Sequence, residues 1–401
     1  MSQTSQTNTR PLFPRRSAAV LALVALLGLA ISRLWDGFGE LLWRSALDLT
    51  TRAAHVRAWF GGEEFYGAQS STYPPASYLL LWPFVGWLPF ETVRRLWAVT
   101  LSYSLLWVMR WCVRAVGGNS RLDRCVIAAL VLAMTATGRA LFLGQSMPIL
   151  LACLTITFTL IAPREGEKMR EGEKTGWKRE VFAALLMLFA LVKPSVSAPF
   201  LWLLLWSNAR ARATIWVILG YAALTLAALW FQKNGVGEIS SWAHTVGRND
   251  AEISEGYANL RVWMAGVGLK AWSHPAALGV LGWLGWWTHR YRRAPLWFVV
   301  GVVGLVARIW TYHASYDDLL LIFPLIALFR IARDEENQQT RFLLIALVLT
   351  LLIPTPWIWD VFYLGAAVQS VCSIVWLGVL VFLLRFSSGT RWRQVEGLGV
   401  T

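Results

Sequence analysis

Apolar residues fall along this chain in blocks of about twelve to twenty-five, separated by short polar stretches, rather than in the short alternations of half-buried strands. Blocks of that length predict an all-α integral membrane protein, a polytopic helical bundle with roughly ten to twelve membrane segments. One stretch breaks the pattern. After the first apolar run, Leu42, Ala46, Leu49, Ala53, Val56 and Phe60 step four and three residues at a time. That period predicts an amphipathic helix with a face greasy enough to lie on a bilayer. Arg44, Asp48, Arg52 and His55 lie on its opposite face, and Gly61-Gly62 ends it.

Charge sets the topology. Arg15 and Arg16 ahead of the apolar run 18–31 point to a cytoplasmic tail over 1–17 and a retained signal anchor running outward. Residues 18–385 then form a single membrane domain, with outer loops at 34–75 and 232–274, a cytoplasmic linker at 163–180 and a cytoplasmic tail at 386–401. Residues 76–90, interrupted by Pro83 and Pro89, read as a half-inserted segment, and GRALFLGQSMP as an outer-face stretch after a span over 125–137. Residues 181–206 are two apolar arms around Lys193-Pro194-Ser195. Each arm reaches about 18 Å, short of the roughly 30 Å hydrocarbon core, so a hairpin of half-helices with Lys193 at its tip, facing a cavity, fits better than one span. The linker carries a mixed-charge repeat, REGEK-M-REGEK, and reads as solvated.

Composition narrows the function classes. The chain is 56% hydrophobic and 15% charged, and many of its 25 tryptophans sit at segment ends, as interfacial anchors do. The net charge of +14 is dispersed through short loops, which suits topology and contact with membrane lipids and argues against nucleic acid as a partner. The four cysteines lie in or beside apolar segments without CxxC spacing, so neither disulfides nor a zinc site is indicated. No Walker loop, HExxH, GxSxG or strand-framed GxGxxG occurs, which argues against an ATP-driven pump and a doubly wound sugar-nucleotide transferase.

The polar residues expected at the outer face are the candidates for chemistry. Asp48, between Arg44 and Arg52, is either one half of an exposed ion pair or a general base, and Asp36 is a second carboxylate in the same loop. Lys193 lies among apolar residues, where an ammonium costs about 2.5–3.5 kcal/mol on insertion scales; such residues face a polar pathway, a partner or the interface. Tyr312-His313-Ala314-Ser315-Tyr316-Asp317-Asp318 packs polar groups between two spans, either as a capped turn or as an imidazole contact for a phosphate or sugar hydroxyls. Gly144-Gln145 and Tyr73-Pro74-Pro75 are weak signals alone.

Read in order, Asp48-Leu49, AWFGGEEFYG, YPPASYLLLWPFVGWLPF, LFLGQSMPILLACL, LFALVKPSVSAPF and ARIWTYHASYDDLLLIFP resemble the glycosyltransferase 87 family over about residues 34–324. The resemblance implies a GT-C-type membrane fold and an inverting transfer of a hexose, mannose in the family, from a polyprenyl-phosphate donor to a lipid or glycan acceptor at the outer leaflet. It matches Asp48 to the base, Gln145, Lys193 and His313 to donor phosphate or sugar contacts, and leaves His55, Arg52, Tyr73, Tyr316 and Asp317 as supporting candidates. No cofactor and no metal ligand set is implied. The chain departs from the family at Arg52, where tyrosine is usual, and at Met147, where asparagine is usual, which bears on acceptor and sugar identity. The competing class is a transporter or flippase of lipid-linked glycans, which also needs cations at membrane depth.

Overall fold

The computed structural model describes residues 16–63, 65–66, 71–117, 120–161, 177–206, 211–253, 258–334, 337–353 and 365–388, and every regular element among them is helical. The first helix, α1 (Arg16–Trp43), continues well past the apolar run that predicted it. It stops where Ala46 adopts a left-handed conformation, φ 41°, a strain of roughly 1–2 kcal/mol for a residue with a Cβ. The Glu40 carboxylate takes the freed Ser45 N–H and its hydroxyl at 3.1 and 2.6 Å. The amphipathic helix follows as α2 (Leu47–Phe60), but protein covers its apolar face: Leu49, Ala53, Val56 and Trp59 are buried, with α3, α4 and α6 as neighbours.

Prolines and glycines punctuate what comes next. Helix α3 (Pro75–Val85) opens on a proline and ends at Gly86; α4 (Phe90–Val116) starts after Pro89 and ends at Gly117, φ 65°. Helix α5 (Arg121–Ala133) bends by 44° into α6 (Thr135–Leu143), so part of the segment expected at the outer face is helical. The Thr137 hydroxyl donates to the Val131 carbonyl at 2.6 Å, beside the break at Met134. Then come α7 (Met147–Ile161) and α8 (Trp177–Ala190), which takes in the last residues of the expected linker; the rest of that linker lies outside the described residues.

The second half continues as α9 (Pro194–Ser197), a 3-10 turn, α10 (Leu201–Trp206), α11 (Ala211–Leu229), α12 (Gly237–Ile253) and α13 (Leu260–Gly266). The long loop expected at 232–274 is therefore largely helical. Helices α14 (Ser273–Arg290) and α15 (Leu296–Ile309) precede a 3-10 segment, Ser315–Leu321. Last come α16 (Ile322–Asp334), α17 (Gln338–Leu352) and α18 (Gly365–Ser388). The expected PTPWIWD turn falls outside the described residues.

Among the described residues, four stretches can cross a membrane by length and composition, 17–60, 90–116, 212–229 and 370–388, or five if the bent α5–α6 pair is one span; five shorter apolar helices accompany them. Many apolar side chains on the long helices face outward, among them Leu21, Val24 and Ile31 of α1 and Leu96, Val99 and Leu106 of α4. This is a polytopic all-α membrane protein. Its centre is α15, buried all round from Phe298 to Ile309 and packed on α16. Two glycines allow that approach: a Cβ on Gly304 would lie 2.6 Å from Phe323 Cδ2, and one on Gly301 2.7 Å from Ala327 Cβ. Gly304→Ala is accordingly expected to cost about 1–3 kcal/mol by overpacking, read as a lowered thermal midpoint of the detergent-solubilised protein.

Candidate functional site

Asp48 occupies the first turn of α2, where the helix dipole favours negative charge. Its partner comes from the turn between α6 and α7. Gly144, φ 69°, closes α6 with paired bonds, its own N–H to Leu141 O at 3.0 Å and Gln145 N–H to Ala140 O at 2.7 Å. The glycine is required twice over, because a Cβ there would also lie 2.7 Å from Leu49 Cβ on α2. Trp97 Nε1 donates to the Gly144 carbonyl at 2.8 Å. So held, Gln145 is buried, and its Nε2 donates to Asp48 Oδ2. The ion pair weighed for Asp48 does not form: Arg44 lies 3.6 Å from Glu40, and Arg52 stacks 3.4 Å above the ring of Tyr73.

A second cluster forms at the break before α9. Pro194 cannot continue a helix and biases Lys193 toward extended backbone, observed at φ −125°, ψ 85°. Ser77 Oγ donates to the Val192 carbonyl at 2.8 Å and Trp310 Nε1 to the Ser195 carbonyl at 2.7 Å, so the break is satisfied from two other helical regions. Both arms flanking it pack on α11, while α8 also packs on α7 and α10 on α14. Lys193 Nζ donates to both carboxylate oxygens of Asp317, at 2.6 and 2.7 Å. Asp317 Oδ2 also accepts from Ala314 N–H at 3.1 Å and pairs with His313 Nδ1 at 3.2 Å.

These contacts assign protonation. Burial opposes ionisation of Asp317, yet the Lys193 ammonium and the His313 bond outweigh it and hold its carboxyl below the usual range. Burial lowers His313 to about 4 despite the neighbouring carboxylate, so its imidazole is neutral at pH 7. Since a carboxylate only accepts, His313 Nδ1 carries the proton, and Nε2, buried and without a hydrogen-bond partner, presents a lone pair. Lys193 spends two of its three donors on Asp317, which neutralises its charge.

Tyr316 joins the two clusters. The Lys193 ammonium lies 4.6 Å from its ring centroid. Burial, then Asp317, Tyr312 and Asp48, push its phenol well above the ordinary value, which keeps it a donor. The 3-10 segment that carries Tyr316 packs on α6 and α7, the helices flanking Gln145. Tyr73 completes this side, its carbonyl accepting from the Tyr66 and Tyr78 hydroxyls at 2.7 and 3.2 Å. His55 is not brought in; it packs edge-on against Phe65 in an aromatic cluster two turns along α2.

Sequence reasoning missed Arg308. This fully buried guanidinium donates to Asp318 Oδ1 and to Ala258 O beside the Lys193–Asp317 pair, and burial raises Asp318 against the pull of that arginine. An ionisable residue inside the apolar run of α15 is the same signal that singled out Lys193. Two large clefts, lined by residues such as Gln232 and His244 or Arg33 and Arg139, include neither Lys193 nor His313. Among the described residues no group of three or more His, Cys, Asp or Glu could hold a metal ion.

A family model described as Glycosyltransferase family 87 matches residues 72–353. No curated protein and no solved structure gives a significant match.

Asp317→Asn should leave the Lys193 ammonium buried and uncompensated and cost about 3–5 kcal/mol, most of it recovered in a Lys193→Met/Asp317→Leu double variant; unfolding midpoints of the set check this. Because the unfolded imidazole protonates near 6.5 and the folded one near 4, stability should be full above pH 6.5 and fall between pH 6.5 and 4. His313→Gln should flatten that slope in a pH series of thermal midpoints.

Proposed function

The chain belongs to glycosyltransferase family 87 and is a membrane glycosyltransferase; from that premise we propose that it moves a hexose, mannose by family resemblance, from a polyprenyl-phosphate donor to a hydroxyl of a lipid or glycan acceptor. The transfer runs with inversion, at the extracytoplasmic face expected from the basic loops.

The observation that carries this reading is the Gln145–Asp48 hydrogen bond. It occupies Oδ2 and leaves Oδ1 to accept the proton of the acceptor hydroxyl. The hydroxyl oxygen attacks the anomeric carbon from the face opposite the phosphate, the new carbon–oxygen bond forms as the bond to the phosphate oxygen breaks, and the lipid phosphate leaves with that electron pair. Asp48 ends the step protonated. An amide that donates to one carboxylate oxygen also fixes the plane of the carboxylate, so the other oxygen is oriented for proton transfer.

The opposite cluster handles the donor. Lys193 retains one N–H beyond its bonds to Asp317, a single directed donor for a phosphate oxygen in place of a bare cation. His313 Nε2, as a neutral acceptor, takes a hydrogen bond from a hydroxyl of the transferred sugar, with Asp317 holding its tautomer. Tyr316, between the clusters, can donate to either substrate, and Arg52 over Tyr73 sits beside the acceptor's approach to Asp48.

Asp48→Asn is expected to abolish transfer, a loss of about a hundredfold to ten-thousandfold, while expression and membrane insertion are retained. The assay incubates membranes with radiolabelled polyprenyl-phosphate hexoses and follows label into acceptor; full transfer by the variant would defeat the assignment of Asp48, and no label movement from any donor with the native protein would defeat the donor class.

A further inference from the structure

Where α1 leaves its apolar run, it packs against α6 with a cleft of about 1020 Å³ between them. Three arginines and two acids line it, Arg33, Arg44, Arg139, Asp36 and Glu40. Arg44 is matched by Glu40 at 3.6 Å, and Asp36 acts electrostatically on Arg33. Arg139 lies loosely over Phe142, its guanidinium 5.8 Å from the ring centroid. Pairing the charges leaves one positive charge in the cleft, and the Nε atoms of Arg33 and Arg139 are buried without a hydrogen-bond partner.

The placement of Arg33 is built into the helix packing. A Cβ on Gly138 would come within 3.0 Å of Arg33 Cδ and 3.2 Å of its Cβ, so this glycine lets the arginine stem lie flat on α6, one residue before Arg139. The rest of the lining is mostly apolar, with Ile31, Leu34 and Phe38 on α1 and Phe142 on α6. A net positive charge beside an apolar wall fits a phosphate carried on a long apolar chain better than it fits a sugar or a soluble anion.

We infer that the α1–α6 cleft is a binding site for the phosphate of a membrane lipid, held by Arg33 and Arg139, with the lipid chain along Ile31, Leu34 and Phe38. The site is separate from the Lys193–His313 cluster, whose residues do not line it, although α6 leads from Arg139 directly to Gln145. It stands on the cleft alone and is independent of the transfer reaction, since lipid occupancy and sugar transfer are read separately.

Native mass spectrometry of the full-length protein in non-ionic detergent tests it, with phosphatidylglycerol, a long-chain polyprenyl phosphate, the matched neutral diacylglycerol and polyprenol, and inorganic phosphate as probes. The expected result is one lipid bound, with at least one phosphate lipid favoured over its neutral partner by about tenfold or more; whichever phosphate lipid binds tighter identifies the source. Arg139→Gln should lose about tenfold, Arg139→Lys less, and Arg95→Gln, an exposed arginine on α4, nothing. Thermal midpoints accompany each variant, and Arg33→Gln replaces Arg139→Gln if that variant misfolds. Equal binding of neutral and phosphate lipids, binding of inorganic phosphate as tight as that of the lipids, or undiminished binding by a folded Arg139→Gln would each overturn the inference.

Discussion

A lysine placed deep in a helical membrane bundle is tolerated only when a fixed counter-charge and enough acceptors meet it. Lys193 finds both in Asp317, a carboxylate 124 residues away that presents both oxygens to the ammonium. The pair ties the break between α8 and α9 to the 3-10 segment after α15. Asp317 in turn takes the Ala314 amide and His313 Nδ1, so one carboxylate orders the backbone turn and the imidazole tautomer together. The buried Arg308 and the partly exposed Asp318 place a second ion pair beside it. The local charge sums to zero, which is what allows so many ionisable groups to share a low-dielectric interior.

Each side chain assigned to the chemistry sits where a helix starts or stops. Asp48 follows the left-handed Ala46, Gln145 follows Gly144, Lys193 precedes Pro194, and His313 lies between α15 and the 3-10 segment. Helix ends leave backbone N–H and C=O groups unpaired, and inside a membrane those groups must be satisfied by protein or by a polar cavity. Trp97 supplies a partner at Gly144 and Ser77 and Trp310 at the Lys193 break, as Thr137 does where α5 bends into α6. Interrupted helices therefore concentrate polar groups in one region of an otherwise apolar bundle.

Close backbone approach governs how tightly that region is held. Gly144 against Leu49 brings α2 onto the α6–α7 turn, and Gly301 and Gly304 bring α15 onto α16. Gly138 does the same for the Arg33 stem. In lipid, where apolar burial alone does not drive helices together, small residues at contacts supply the packing. The same device thus positions the Asp48–Gln145 pair and shapes the cationic cleft alongside it.

The length and spacing of apolar blocks determined the class of fold, because a chain with this pattern can satisfy its backbone in a membrane only as helices. Pro194, the glycines and the isolated Lys193 marked where helices break, since proline and glycine act locally and a lone ammonium is costly wherever it lies. The helical period of 42–60 was legible, but which surface it covers was not: that face meets α3, α4 and α6, and only the folded chain brings them there. Sequence likewise left open whether Asp48 pairs with its arginines. Arg44 turned to Glu40, Arg52 to Tyr73, and Gln145, 97 residues on, took Asp48. Partner choice across such separations depends on which helix ends meet in space, so tertiary structure alone made Asp317 the hub, excluded His55 from the cluster and brought Arg308 into it.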